Sequence, residues 1–490
     1  MAPNADSNGH TNGHHSNAPC IPAGHESLRP PLYHMEGTDT NSKILFRNVR
    51  IFDSTGADPY PGDVLIHGER IAAVGDIDIS GHDITAAKVI EGNGRFLMSG
   101  LCDAHTHLTW NNTGNLDALG DTPVEEHTLF AMRSARTYLD YGYTMCFGAA
   151  SAKQRIDVVI RNAVNAGDIA GPRYLANGQE MAPPGGELIP SITAYASGPE
   201  EMRRVVKRHI ETGCNQIKLS MSGEEITERL SADDTTFSDD EVKACVETAH
   251  AAGLRVCGHA RSAESVIQCV TYGVDVIYHA SYIDSEGMDM LEKAKDKHWV
   301  APGINWIVGT LNDAAAFGYT PQKAEQVGYK RELEAACKGM QEMRRRGIRV
   351  LPGGDYGFAW TPHGTYARDL DHMVRLFGYT PKEALIIATA GGGDMFMHPN
   401  DLGKIQPGFL ADLILVDGNP LEDIKCLQDL EKIQVVMING RIHREGSGAK
   451  ESAEVPPVAG DDGNVHVIVP DLDLGKMTLG EGSPQTISAH

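Results

Sequence analysis

The sequence predicts an α/β protein: a (β/α)8 barrel joined to a small β-sandwich. Three observations carry that prediction. Apolar strand-like runs alternate with helical stretches through the middle of the 490-residue chain; short β runs with close turns lie on both sides of that stretch; and residues able to hold a metal recur at the ends of the apolar runs. Alternating βα units build a parallel sheet, whereas clustered short strands build a separate β unit.

Residues 1–41 are polar, rich in His, Asn, Gly and Pro, and read as a disordered tail without the apolar core of a secretory signal. Residues 42–97 read as the first part of the sandwich, with runs at 44–51, 63–66 and 70–75 and a Gly68-Glu69 turn. Residues 98–402 hold the barrel, its eight runs falling at 101–105, 144–147, 173–176, 216–219, 255–259, 274–279, 300–304 and 348–351. Thr122, Ser238 and Thr380 each precede a Glu by three residues, the spacing of a capping box, and Pro123 and Pro381 suit the first helical turn. Gly142, Gly253 and Gly273 sit where helices end before the next strand. Residues 403–446 return to β, with a strand and its turn at 407–416 and another run at 433–441 that includes Asn439-Gly440. These complete the sandwich, so the barrel is inserted between its halves. Residues 447–490 lose the pattern and read as a C-terminal tail.

Composition narrows the function. A formal net charge of −23 argues against nucleic acid or an anionic membrane surface as partner. No apolar run approaches the ~18 residues of a membrane span. The nine cysteines form no Cys-x-x-Cys pair, and several lie in apolar runs, which fits reduced thiols and a cytoplasmic location.

The chemistry starts at His105 and His107. Residues i and i+2 of a strand share one face, so both imidazoles reach one point at the strand end. Neutral imidazole is the commonest nitrogen ligand of zinc. Lys218 lies near the end of the fourth run, His259 ends the fifth, His279 ends the sixth, and Asp355 lies just past the eighth. In a barrel those ends converge at one mouth, where active sites gather.

Gly100-Leu101-x-Asp103-x-His105-x-His107, Ile217-Lys218-Leu219, Gly258-His259-Ala260, His279, Gly354-Asp355 and Gly403-x-Ile405-x-Pro407-Gly408-x-x-Ala411-Asp412-Leu413 together resemble the amidohydrolase superfamily, composite-domain type, across residues 43–445. Within it the chain is similar to the binuclear branch that includes Xaa-Pro and Xaa-Arg dipeptidases and ochratoxin-type amidases. The resemblance implies a carboxylated Lys218 bridging two divalent ions, with His105, His107 and Asp355 on the inner ion and His259 and His279 on the outer. The carbamate fits that role because an ammonium has no lone pair to donate. The implied activity is hydrolysis of an amide or peptide-like C–N bond: a metal-bridging hydroxide attacks, and Asp355 serves as general acid/base. Zinc is the expected metal; Mn, Co and Fe suit the same donors.

The sequence departs from the family pattern in three places. Ser99 replaces a usual Pro, the second run ends without an acidic residue, and Arg261 stands where many relatives carry a second His. Alternation puts Arg261 on the side of His259, where it is expected to bind a substrate carboxylate. Tyr282 and His363, in loops after the sixth and eighth runs, are expected as further substrate contacts. A small-molecule amide is the expected partner, and a homo-oligomer is expected by analogy with other large barrels. Two alternatives stay open: a one-metal deaminase or cyclic amidine/lactam hydrolase of the same superfamily, and a catalytically inactive barrel acting as a binding module.

Overall fold

The computed structural model of the chain describes residues 26–32, 35–36, 38–77, 87–227 and 229–446, with short strands at 458–459 and 465–466. The first 25 residues of the expected N-terminal tail and most of the expected C-terminal tail lie outside the described residues.

The chain opens with β1 (Lys43–Phe52), β2 (Tyr60–His67), β3 (Arg70–Gly75), β4 (Lys88–Glu91) and β5 (Phe96–Ser99). The strand–helix succession follows: β6 (Leu101–Thr106), α1 (Val124–Asp140), β7 (Tyr143–Gly148), α2 (Ile156–Asn165), β8 (Arg173–Leu175), β9 (Met181–Ala182), β10 (Ala194–Tyr195), α3 (Pro199–Thr212), β11 (Gln216–Ser220), α4 (Asp239–Ala251), β12 (Arg255–Ala260), α5 (Ala263–Tyr272), β13 (Val276–His279), α6 (Ser285–Lys293) and β14 (Trp299–Ala301). Five helices come next: α7 (Ile304–Asn312), α8 (Pro321–Val327), α9 (Tyr329–Arg346), α10 (Arg368–Arg375) and α11 (Pro381–Met395). The chain returns to β with β15 (Leu413–Val416), β16 (Ile433–Ile438) and β17 (Arg441–Glu445).

The two flanking segments share one hydrogen-bonded sheet, ordered β17-β16-β15-β5-β1-β2-β3 with β4 beside β1. The halves of the expected sandwich are joined into one hydrogen-bonded sheet because β5 is bonded on both edges, parallel to β1 and antiparallel to β15. A bulge between Phe46 and Val49 places Asn48 at φ 52°, and its N–H donates to Asp63 Oδ1 at 2.8 Å. Asn439 and Gly440 both take positive φ, as a two-residue hairpin turn demands. That turn leads into β17, which the sequence reading left unassigned.

The central runs are parallel strands in two groups, β6-β7-β8 and β9-β11-β12-β13-β14, the second edged by β10. The seventh strand is shorter than expected because α7 begins at Ile304. The eighth run joins through a single parallel bridge, Val350 to Val300, and through Ala104 N–H donating to Pro352 O at 2.9 Å. After the third run the chain forms β9, which pairs with β11.

Capping boxes form at Ser238 and Thr380. None forms at Thr122, because α1 starts one residue later, with Pro123 in the cap position and no side-chain bond. Part of the expected tail makes contacts with the rest of the chain at its described residues. Leu28 and Met35 are buried, Arg29 Nη2 donates to His398 Nδ1 (2.9 Å), His398 Nε2 donates to Pro30 O (2.8 Å), and Glu36 N–H donates to Asn165 O (2.9 Å).

Two features hold the sheet against the strand–helix region. A Cβ at Gly100 would lie 2.2 Å from Thr144 Oγ1, so only glycine lets β5 hand over to β6 this closely. Asp412 receives a bidentate pair from the buried Arg173, Nε to Oδ2 at 2.8 Å and Nη2 to Oδ1 at 3.1 Å. Arg173 also donates to Asn439 Oδ1, and Asn439 N–H donates back to Asp412.

Candidate metal centre

Parallel strands point their C-terminal ends the same way, and the imidazoles gather there. His105 and His107 on β6 have ring centroids 5.1 Å apart, His105 and His279 5.0 Å, and His259 and His279 4.4 Å. Asp355 Oδ1 lies 3.0 Å from His107 Nε2 and 3.8 Å from His105 Nε2. Ligand atoms of His105, His279 and Asp355 all fall within 4.8 Å of one another. All five side chains are buried.

The donor set fits a cation. His107 Nδ1 donates to Ala150 O at 3.4 Å, which turns the Nε2 lone pair toward the Asp355 carboxylate. Two acceptors that close suit a shared positive ion. His259 likewise engages Gly223 O through Nε2 at 3.2 Å, leaving Nδ1. Both ring nitrogens of His279, and Nδ1 of His105, have no hydrogen-bond partner among the described residues. Burial holds His105, His259 and His279 well below the ordinary imidazole range, which keeps them in the neutral, metal-binding form. Burial pushes the Asp355 carboxyl up, but His105 and His107 outweigh it and hold the group below the usual carboxylate range.

The backbone is unusual at the same place. His279, Ala280 and Asp355 take φ of 73°, 51° and 63° without being glycine. Such conformations cost of order 1–3 kcal/mol each and concentrate at functional sites. Gly303 stands so close that a Cβ there would meet His279 Nδ1 at 2.6 Å.

Lys218, on β11, reaches the same region. Its Nζ lies 4.9 Å from the Tyr278 ring centre, and Tyr278 stacks on His105 with centroids 4.0 Å apart. The buried carboxylate of Glu180 lies 3.1 Å from Nζ. Sequence reasoning missed Glu180. The rule that found Asp355 just past the eighth run also finds Glu180 just past the third.

A second missed group holds the His-x-His strand. Asp103 Oδ1 accepts from His105 N–H (2.9 Å) and Oδ2 from the Tyr138 hydroxyl (2.8 Å). Burial raises the Asp103 carboxyl to about 6 despite those two bonds. Tyr138 stacks on Tyr366, Tyr366 OH meets His363 Nδ1 (3.1 Å), His363 Nε2 donates to Trp110 O (2.8 Å), and Trp110 stacks on His107 at 4.1 Å. The circuit begins and ends on β6.

The three expected substrate contacts are placed differently. Both His363 ring nitrogens are engaged in that circuit, so His363 braces the Trp110 loop instead of offering a free imidazole. Arg261 is fully buried between Glu224 and Glu332, with Ser281 Oγ at 3.4 Å. Its fork is thereby taken up by the protein's own carboxylates, while Tyr329 OH donates to Glu224 at 2.9 Å. Burial raises the Glu224 carboxyl to about 7, with Arg261 opposing. The Tyr282 ring lies under the Arg331 guanidinium (4.8 Å) and lines a groove of about 560 Å³ whose walls include none of the six ligand candidates. After the seventh run Trp306 packs on Phe358 (4.4 Å) and Trp360 (5.4 Å).

Comparison with known proteins places this geometry. Ochratoxinase of Aspergillus niger is 25% identical over 377 residues, covering 71% of this chain and 75% of that one. Its crystal structure superposes with a TM-score of 0.72 at 23% identity, over 83% of this chain and 96% of that one. A Xaa-Pro dipeptidase with bound methionine superposes at 0.73 (24% identity; 82% and 100% covered). A structure described as an amidohydrolase superposes at 0.74 (26% identity; 83% and 100% covered). These likenesses imply a barrel-type α/β core with an additional β region. The amidohydrolase family model matches residues 96–443. Because that match runs from the start of β5 into β17, across every strand that carries a ligand candidate, the chain belongs to the amidohydrolase family.

Proposed function

We propose that this chain is a binuclear metal-dependent hydrolase of amide-type C–N bonds. The observation that carries the reading is the meeting of His105, His107, His259, His279 and Asp355 at the strand ends, with Lys218 entering the same cluster. His105, His107 and Asp355 would hold one divalent ion, His259 and His279 the other, and Lys218, as a carbamate, would bridge them. When bound, the ions supply activated water at neutral pH and polarise the scissile carbonyl. Asp355, beside His105 and His107, would serve as the general acid/base of the site. Arg261 would serve this site as a buried brace, its charge paired with Glu224 and Glu332.

The closed eight-stranded barrel belongs to this reading, supported by the Ala104–Pro352 bond between the first and eighth runs. So does the division into sheet segments at 42–97 and 403–446 around a core at 98–402.

One observation favours a second reading. The tightest cluster has three members, His105, His279 and Asp355, which suits a single ion and a deaminase or cyclic amidine hydrolase. Adenine deaminase of Deinococcus deserti is also similar, at 23% identity. Elemental analysis separates the readings. Two ions per chain, together with turnover of N-acyl amino acids, dipeptides or aryl amides, fits the first. One ion, with turnover of amino-heterocycles, overturns it. Failure to bind transition metal at micromolar levels leaves only a binding module.

A further inference from the structure

Lys218 and Glu180 are both buried, 1% and 6% exposed, and their charged atoms stand 3.1 Å apart. Burying a carboxylate is costly unless something compensates it. Glu180 Oε1 accepts no hydrogen bond among the described residues, although it faces Nζ. An acceptor so placed, at the strand ends and beside the bridging candidate, calls for a donor on Nζ with a fixed direction. An ammonium can turn one of its three hydrogens toward Glu180 but leaves the other two pointing at the imidazoles. A carbamate supplies the fixed donor, because its nitrogen is planar and keeps one hydrogen.

We propose that Glu180 is the positioning residue of the Lys218 carbamate, accepting its one remaining N–H and so aiming its two oxygens away from Glu180 and toward the imidazoles. The inference rests on the binuclear reading above and adds a residue to it. In the modifying step, the Nζ lone pair forms a bond to the carbon of CO2, and a C=O π pair moves onto oxygen. Two of the three ammonium hydrogens leave to water as protons, and the third stays on nitrogen, facing Glu180. Partners that orient a ligand in this way typically account for about 10–100-fold in metal affinity.

The test uses the full chain loaded with Zn2+ in 13C-labelled bicarbonate. It reads metal per chain by elemental analysis, metal affinity by competition with a chelator, and the carbamate carbon by 13C NMR. Glu180→Ala and Glu180→Met remove the acceptor, the second while keeping bulk. Each is expected to weaken binding of the second ion by about 10–100-fold and to lose the carbamate signal. Glu180→Gln keeps a carbonyl oxygen at the same reach and is expected to retain both. Full metal content and signal in Glu180→Met overturns the proposal. Failure of Glu180→Gln alongside Glu180→Met also overturns it, since the charge and not the acceptor would then matter. Wild-type protein with one ion and no carbamate signal removes the binuclear reading itself, a result distinct from either.

Discussion

Arg173 and Lys218 are both buried cations on central parallel strands, one in each of the two strand groups, yet their surroundings differ in kind. Arg173, at the start of β8, gives three hydrogen bonds to Asp412 and Asn439 in a planar fork. Lys218, on β11, has a single carboxylate at 3.1 Å, and close by lie imidazole nitrogens without hydrogen-bond partners among the described residues. A fully engaged guanidinium fixes geometry and resists chemistry. A primary amine beside unsatisfied donors and acceptors is a place where something else is meant to bind. Among these central strands, hydrogen-bond completeness therefore separates a fully paired scaffold cation from the candidate site.

Four substitutions test that separation. Asp355→Asn acts on the reactive side and should lower kcat/KM by about 10²–10⁴-fold, with the melting temperature unchanged or raised. A large fall in melting temperature would mean that Asp355 is structural. Asp412→Ala acts on the scaffold side. It strands a buried guanidinium and should cost about 3–5 kcal/mol in urea unfolding, while activity per folded molecule is kept. Arg173→Lys keeps the charge but loses the fork, and should cost about 1–3 kcal/mol. A neutral result there would erase the contrast.

The smallest effect is expected at His363. Burial lowers this imidazole to about 4 from the usual value. Above about pH 6.5 both folded and unfolded forms are neutral there. As pH falls toward 4 the unfolded chain takes up a proton first, so stability declines. His363→Gln, measured with chelator present, should begin about 1 kcal/mol less stable and lose less on acidification than wild type. Parallel curves would show that His363 is not the group responsible.

The sequence made the ligand candidates legible because they obey a local rule. His105 and His107 alternate on one strand face, and Lys218, His259, His279 and Asp355 each mark the end of an apolar run. The strand–helix rhythm was legible for the same reason, down to the capping boxes at Ser238 and Thr380. What stayed hidden depends on distant partners. Glu332 reaches Arg261 from 71 residues away, and Trp110 reaches His363 from 253. Neither spacing leaves a local trace, so these long-range partners could not be read from the sequence. The Thr122 box failed for a local reason, since Pro123 in extended conformation took the cap position itself. That the two flanking segments share one hydrogen-bonded sheet was not legible, because β5 is only four residues long, too short to announce two bonded edges.

Residues 26–36 reach several parts of the fold, from His398 beyond α11 to Asn165 at the end of α2, and Arg441 of β17 also donates to Glu36 O. That strap sets a practical boundary for handling the protein. An affinity tag or protease site placed before Glu26 leaves these contacts whole. Trimming to Lys43, where regular structure begins, would uncover the apolar surface beneath Leu28 and Met35 and favour aggregation.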